Sequence, residues 1–267
     1  MTRSPPVASE LLPQTSPNWA LFLDFDGTLT DIANSPDEVR LSPRLVPTLK
    51  LLFQGFGGAV AIVSGRPLKQ IDALLAPLSL PTAGLHGLER RGTDGKTIRF
   101  TSDPTVLDSV REGLEKITQP MNGVVLEDKK YSLALHYRKC PEQQQLCFDA
   151  VRALVSRAED SLEILPGKMV YEVKPRGMDK GRAVQAFLAE APFVGRTPLF
   201  IGDDVTDEAG FALSNRLGGT SIRVGADKGT CAQFRVATVA DLLAWLERTA
   251  NEIRGENSLS GGNVGIG

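Results

Sequence analysis

Two aspartates, Asp24 and Asp26, are one residue apart and follow the short apolar stretch at 21–23. In an extended strand, residues i and i+2 share a face, so the two carboxylates would repel each other unless a cation lay between them. A turn at Asp26 and Gly27 would explain the second aspartate, but it leaves Asp24 inside the apolar run without a reason. The pair therefore predicts a functional site.

Other polar residues stand at comparable positions along the chain. Ser64 and Asp203 each follow an apolar stretch, and Lys180 lies where a helical pattern begins. Taken singly, serine is common in turns, lysine is mostly exposed, and acidic residues suit helix N-termini. The preference of acidic residues for helix N-termini explains Asp204 and Asp207 better than Asp203, which directly follows a buried strand. Their joint occurrence favours one site built from several strand ends.

The elements that would position these residues alternate between strand and helix. Such alternation is typical of an α/β fold with a parallel sheet, in which ligands bind beyond the carboxyl ends of the strands. A third strand is predicted over 82–89, with His86 and Glu89 at its end. Before residue 103, the other predicted elements are a strand ending near Asp24, a helix over 43–53, a strand over 59–63 and a helix over 68–75. After residue 174 they are a helix over 182–188, strands over 198–201 and 220–225, and a helix over 239–253.

The pattern changes between about 103 and 174. Helices are predicted over 106–117 and 141–157, together with hairpin-like strand pairs, which indicates a separate α+β unit inserted into the parallel fold. The predicted organisation is a flexible arm at 1–17, a core at 18–102 and 175–254, an inserted domain at 103–174, and a flexible tail at 255–267.

Composition limits the partners. The 267 residues are 42% apolar and 23% charged with a net charge of −2, so no strong field would recruit nucleic acid or a membrane surface. Three scattered cysteines predict neither a disulfide framework nor a zinc site. No apolar run approaches the roughly 18 residues of a membrane helix. We therefore expect a cytoplasmic protein with a small-molecule substrate, and a monomer is favoured.

The order of these residues resembles the haloacid dehalogenase (HAD) superfamily. Its four motifs are matched by residues 24–28, by Ser64, by Lys180, and by Asp203 with Asp204 and Asp207. Within that superfamily, the segments at 64–66, 84–87, 180–181 and 202–208 are similar to those of trehalose-6-phosphate phosphatases. The resemblance covers nearly the whole chain except its two ends, and it implies a HAD-like Rossmannoid core with a central parallel sheet and an inserted α+β cap of the C2 type.

The resemblance also implies roles for the site residues. Asp24 would be the nucleophile that forms an aspartyl-phosphate, and Asp26 the general acid and then the general base. Ser64 and Lys180 would bind the transferring phosphoryl group. Mg²⁺ would offset the repulsion between carboxylate and phosphate, and it suits hard oxygen ligands. The implied metal site comprises Asp24, the main-chain carbonyl of Asp26, Asp203 and Asp207, the last either as a direct ligand or through water.

The implied reaction is hydrolysis of trehalose 6-phosphate in trehalose biosynthesis. Residues expected to bind this substrate are Asp24, Asp26, Gly27, Thr28 and Arg66 in the core, and Glu127, Lys129, Lys168 and Glu172 in the inserted domain.

Several of these assignments have ordinary alternatives. The segment 127–130 is also a good polar hairpin loop, and Lys168 and Glu172 also suit solvent-facing strand positions. His136, a further candidate on a strand of the inserted domain, also suits a simple cross-strand pair. His86 suits a satisfied interior histidine better than an acid or base.

Two rival functions are compatible with part of this residue pattern. A receiver-like signalling module also places acidic residues, a hydroxyl and a lysine at sheet ends, but it is smaller and has no inserted domain. A phosphomutase, or a phosphatase for another sugar phosphate, would keep the fold and change the chemistry. Only the residues of the inserted domain discriminate between the sugar-phosphate alternatives.

Overall fold

In a computed structural model, the described residues are 12–33, 38–100, 104–226 and 229–260. They form two sheets, one of eight strands and one of four. In chain order the strands are β1 (Trp19–Leu23), β2 (Val60–Val63), β3 (Thr82–Gly84), β4 (Glu89–Arg91), β5 (Thr97–Arg99), β6 (Val125–Asp128), β7 (Leu133–His136), β8 (Leu162–Gly167), β9 (Val170–Pro175), β10 (Thr197–Gly202), β11 (Thr220–Val224) and β12 (Phe234–Val236). The helices are α1 (Leu45–Gly55), α2 (Leu68–Leu75), α3 (Pro104–Thr118), α4 (Gln144–Val155), α5 (Lys180–Leu188), α6 (Glu208–Arg216) and α7 (Val239–Ser260).

The large sheet has the order β12-β11-β10-β1-β2-β3-β4-β5. Its pairs from β12 to β3 are parallel, and β4 and β5 extend it in antiparallel fashion. Strand β1 lies inside this sheet because all five of its residues are buried and none is charged. The parallel register brings the carboxyl ends of β10, β1 and β2 to one edge.

Side chains of β1 alternate between two apolar layers. Leu21 and Leu23 belong to a core that also contains Leu49 of α1 and Leu246 of α7. Phe22 faces the other layer, where its ring lies 6.1 Å from that of Phe187 on α5. Helices therefore cover both faces of the sheet and exclude water from its strands.

The four-stranded sheet forms a smaller lobe at 104–175, between β5 and α5, and the other elements form the larger lobe. Its order is β6-β7-β9-β8, with antiparallel neighbours. Helices α3 and α4 contribute Leu114 and Val151 to a separate apolar core with Leu135 and Val173 of the sheet. The central parallel sheet and the α+β insertion confirm the predicted fold class.

The predicted strand over 82–89 is wrong beyond its first three residues. Strand β3 ends at Gly84, and Leu85 and His86 both have positive φ, of 50° and 55°. Residues with left-handed backbone cannot continue a strand, so the chain turns and returns as β4, antiparallel to β3. His86 and Glu89 therefore do not share one strand.

The two chain ends also differ from expectation. Helix α7 continues to Ser260, past the predicted end at 253, so residues 255–260 are helical. At the other end, the Thr15 hydroxyl donates a hydrogen bond to Glu252 of α7. The remainder of the predicted arm and tail, at 1–11 and 261–267, lies outside the described residues. Within the described ranges, no helix is both long and apolar enough to cross a membrane.

Candidate active site

The ends of β1, β2 and β10 deliver three of the predicted site residues. In the register of the sheet, Leu23 pairs with Ile62 on one side and with Ile201 on the other. Asp24 directly follows Leu23, and Ser64 and Asp203 each lie two residues beyond those partners. Parallel pairing thus brings residues 40 to 179 positions apart in the sequence to one edge of the sheet.

Lys180 is the first residue of α5, and its ammonium joins two of the carboxylates. Its Nζ donates to Asp24 Oδ1 at 2.7 Å and to Asp207 Oδ1 at 2.6 Å. Asp179 caps the helix by accepting from the Arg182 amide at 2.7 Å, which fixes where α5 begins. Burial alone would lower the pKa of Lys180, but the two carboxylates hold it above its usual value. The lysine is therefore a permanent buried cation.

Asp207 is fully buried and organises the loop after β10. Its Oδ2 accepts from the amides of Asp203 and Asp204 at 3.0 and 2.9 Å, while Oδ1 accepts from Lys180. A side chain at Gly202 would overlap the Asp207 carboxylate, so glycine is needed there. Because protein donors engage both oxygens, Asp207 holds Lys180 and the Asp203 loop in place.

Three carboxylates converge with a single ammonium between them. In the described part of the chain, one oxygen each of Asp24, Asp203 and Asp207 lies within 4.8 Å of the others. Burial and the neighbouring carboxylates raise the pKa of Asp24 to about 7 and that of Asp203 to about 8. The pKa values rise because three ionised carboxylates would carry more negative charge than Lys180 offsets. A hard divalent cation such as Mg²⁺ fits this all-oxygen set.

Two neighbours set the geometry of the Asp24 carboxylate. The Thr28 hydroxyl donates to Asp24 Oδ2 at 2.9 Å, opposite the Lys180 contact on Oδ1. Gly27, which directly precedes Thr28, has φ of 80°, and a side chain there would overlap the Asp203 carboxylate. The turn after β1 can therefore approach the β10 loop this closely because residue 27 is glycine.

Asp26 is held apart from this cluster by Arg66. The guanidinium makes two hydrogen bonds to the Asp26 carboxylate, Nε to Oδ2 at 2.6 Å and Nη2 to Oδ1 at 2.8 Å. The Arg66 amide donates to Ser64 Oγ at 3.1 Å, so the Ser64 hydroxyl hydrogen remains available for another acceptor. Arg66, predicted to bind substrate, is thus also the partner of Asp26.

A cavity of about 240 Å³ lies between the two lobes, above this edge of the sheet. The larger lobe lines it with Asp24, Asp26, Ser64, Arg66, Lys180 and Asp203, and the smaller lobe with Glu127, Lys129 and Lys168, all of them predicted. Four other predicted residues lie outside the lining within the described chain: Gly27 and Thr28 form the turn beneath it, and Asp207 and Glu172 are buried behind it.

Polar pairs fix the residues on the smaller lobe. Glu127 Oε2 and His136 Nε2 are 2.9 Å apart across β6 and β7, and this hydrogen bond holds the pKa of Glu127 below its usual value. Glu172 accepts from Ser132 and Lys129 at 2.8 and 3.3 Å. Lys168, in contrast, is exposed at the rim of the cavity.

Sequence reasoning missed several residues of the lining. Arg138 lies two positions after His136, so the period of an extended strand could have placed both side chains on one side. Gln70 lies four residues after Arg66, one helical turn away, and accepts from its Nη1 at 3.4 Å. Thr206 belongs to the Asp203 loop and to the segment 202–208, whose resemblance to the family was noted without a role for Thr206.

Substituting alanine at Gly27 and at Gly95 tests the close approach of the two loops. Both glycines have positive φ, of 80° and 75°, so each alanine costs about 1 kcal/mol in backbone strain. Only at Gly27 does the new methyl group overlap Asp203, whereas nothing lies within 4 Å at Gly95. We expect Gly27→Ala to lower the free energy of unfolding by at least about 2 kcal/mol, measured by thermal or urea denaturation. Equal losses in the two variants would show that the turn moves away from Asp203 freely.

Comparison with known proteins identifies relatives of this chain. The model of the family described as trehalose-phosphatase matches residues 22–240. A trehalose-6-phosphate phosphatase of Escherichia coli K12 is 41% identical over 253 residues, which cover 93% of each chain. A probable trehalose-phosphate phosphatase of Sinorhizobium fredii is 45% identical over 208 residues, 78% of each chain.

Solved structures share the fold. A trehalose-6-phosphate phosphatase related protein, 24% identical, superposes with a TM-score of 0.74 over 88% of this chain and 99% of its own. The C-terminal domain of Candida albicans trehalose-6-phosphate phosphatase, 21% identical, gives 0.78 over 88% and 93%. Sequence and architecture agree: the chain belongs to the trehalose-phosphatase family, whose members are phosphoric monoester hydrolases.

Proposed function

We propose that this chain hydrolyses trehalose 6-phosphate to trehalose and phosphate through an aspartyl-phosphate on Asp24. The observation that carries the proposal is the Asp24 carboxylate, which is buried, held between Lys180 and Thr28, and present in the lining of the cavity. A carboxylate oriented by two donors is a competent nucleophile toward phosphorus. The relatives named above give the substrate class.

Mg²⁺ is the proposed cofactor. Asp24, Asp203 and the main-chain carbonyl of Asp26 would hold it, with Asp207 orienting the Asp203 loop. When bound, the ion offsets the repulsion between the phosphate dianion and the attacking carboxylate. The raised pKa values of Asp24 and Asp203 support this assignment, because a cation would stabilise both groups in their ionised form.

The reaction has two displacements at phosphorus. In the first, an Asp24 oxygen forms a bond to phosphorus while the bond to the sugar oxygen breaks, and Asp26 gives that oxygen a proton. In the second, Asp26 takes a proton from water as the water attacks phosphorus and releases Asp24. Lys180 and the Ser64 hydroxyl bind the phosphoryl oxygens in both steps.

Arg66 has a place in the same scheme. Its two hydrogen bonds hold the Asp26 carboxylate beside the cavity, and at least one of them would break when Asp26 carries the proton of the first step. The guanidinium also lines that cavity, where it can bind a phosphoryl oxygen.

The smaller lobe acts as the cap that selects the sugar. Glu127, Lys129 and Lys168 bring charged donors and acceptors to the cavity, and a disaccharide offers many hydroxyls to such groups. Gly27 and Thr28 shape the phosphate end. A cap over the site also keeps bulk water from the aspartyl-phosphate. The alternative substrate class is another sugar phosphate bound by the same groups.

We also propose that the enzyme works in the cytoplasm. Cys140, Cys147 and Cys231 are all free thiols, and two of them are buried. Unpaired cysteines fit a reducing compartment better than an oxidising one.

Asp24→Asn should abolish phosphate release from trehalose 6-phosphate in the presence of Mg²⁺. An amide cannot form the covalent intermediate, so we expect a loss of at least about 10³-fold in kcat. The exposed Asp160 offers the matched control, and Asp160→Asn should keep wild-type activity. Chelation should stop the wild-type enzyme, and added Mg²⁺ should restore it. Substantial turnover by Asp24→Asn would exclude the covalent mechanism.

Lys168→Ala should raise KM for trehalose 6-phosphate by about 3- to 10-fold, the value of one typical hydrogen bond of about 0.5–1.5 kcal/mol. Turnover of p-nitrophenyl phosphate, which has no sugar, should change much less. Lys139→Ala is the control, because Lys139 is an exposed lysine of the same lobe that is absent from the lining. Equal losses on both substrates would argue against sugar recognition by Lys168.

A further inference from the structure

The Glu172 carboxylate on β9 collects hydrogen bonds from both lobes. It is 6% exposed, and its Oε1 accepts from Ser132 Oγ at 2.8 Å. Its Oε2 lies 3.3 Å from Lys129 Nζ and 3.1 Å from His86 Nε2. Ser132 and Lys129 belong to the smaller lobe, whereas His86 belongs to the larger lobe. His86 and Glu172 therefore form a direct polar contact between the lobes.

His86 is packed against the phosphate-binding turn. Its amide donates to the Ser64 carbonyl at 2.9 Å, and the amide of Leu85 donates to the Arg66 carbonyl at 3.0 Å. A side chain at Gly65 would come within 2.7 Å of His86 Nε2. The two consecutive left-handed residues, Leu85 and His86, store strain of about 1–3 kcal/mol each. Such strain at non-glycine residues is typical of positions with a functional constraint.

The protonation state of the pair follows from its surroundings. Burial would raise the pKa of Glu172, but the Lys129 ammonium and the hydrogen bonds from His86 and Ser132 hold it well below its usual range, so its oxygens only accept. Burial lowers the pKa of His86 in spite of Glu172, so the imidazole is neutral. Its one proton is therefore on Nε2, facing Glu172. The buried Nδ1 has no hydrogen-bond partner among the described residues, as the neutral form allows.

Lys129 makes a second connection between the lobes. Its Nζ donates to the Gly65 carbonyl at 3.2 Å as well as to Glu172, and the same side chain lines the cavity. Glu172 thus fixes the ammonium of Lys129 directly over the turn that follows Ser64. The position of the Glu172 carboxylate in turn depends on His86, the donor that reaches it from the larger lobe.

We propose that His86 is a positioning residue, which through its Nε2–H holds Glu172, and with it Lys129, in the closed arrangement of the two lobes. The inference rests on the proposed function for its kinetic effect only, because the contact itself links the lobes whatever the substrate is. His86 also lines the cavity, and its Nε2 is hydrogen-bonded to Glu172. Its proposed role is to position that carboxylate. It determines how well the sugar-binding lobe is placed over the phosphate site.

The test uses His86→Asn, Glu172→Ala and Ser132→Ala in the full chain. Asparagine tolerates the left-handed backbone but is too short to reach Glu172, so it removes the contact between lobes. Ser132→Ala is the matched control, because it removes a hydrogen bond to the same carboxylate within one lobe. Glu172→Ala removes the acceptor from the other side, and it replaces His86→Asn in the scattering comparison if that variant fails to fold.

We expect His86→Asn to raise KM for trehalose 6-phosphate by about tenfold or more, with kcat for p-nitrophenyl phosphate within about threefold of wild type. The radius of gyration of the substrate-free protein, from small-angle X-ray scattering, should increase in His86→Asn and not in Ser132→Ala. His86→Gln, whose amide reaches close to the Nε2 position, should restore part of both properties.

Unchanged KM and an unchanged radius of gyration in His86→Asn would overturn the proposal, as would identical changes in Ser132→Ala. The scattering comparison needs no substrate. If the wild-type protein released no phosphate from trehalose 6-phosphate, the proposed function would fail, and scattering alone would still decide the role of His86.

Discussion

The ammonium of Lys180, buried between Asp24 and Asp207, is the interaction on which the rest of the site depends. A buried charge is tolerated only when it is paired, and removing one partner leaves the other uncompensated. This ion pair joins the end of β1, the start of α5 and the loop after β10. The sheet and the helix are therefore held in the arrangement that brings Asp24, the proposed nucleophile, to the cavity.

In the same arrangement, the carboxylates of the site outnumber the one ammonium that pairs with them. Asp203 enters the cluster because the loop is bound to Asp207 and because Gly27 lets the facing turn approach. One ammonium cannot offset three carboxylates in a buried site, which is why burial and repulsion raise the pKa values of Asp24 and Asp203. The fold thus leaves negative charge uncompensated at the proposed site of the divalent cation and the phosphate dianion.

Most site residues of the larger lobe could be predicted from the sequence, because strand ends and buried charges leave local signals. Asp24 interrupts an apolar run, and Lys180 and Asp203 follow recognisable elements. The smaller lobe was harder, since its polar residues alternate with apolar ones whether they face water or a ligand. The pairing of Arg66 with Asp26, and that of His86 with Glu172, join residues 40 and 86 positions apart, and only tertiary packing shows them.

Calorimetric titration of Mg²⁺ into the metal-free protein probes the carboxylate cluster without a substrate. We expect one ion per chain, bound at least about tenfold more weakly by Asp203→Asn, since that variant loses one charge and one oxygen ligand from the cluster. Absence of binding to the wild-type protein at millimolar Mg²⁺, or equal affinity in the two proteins, would contradict this expectation.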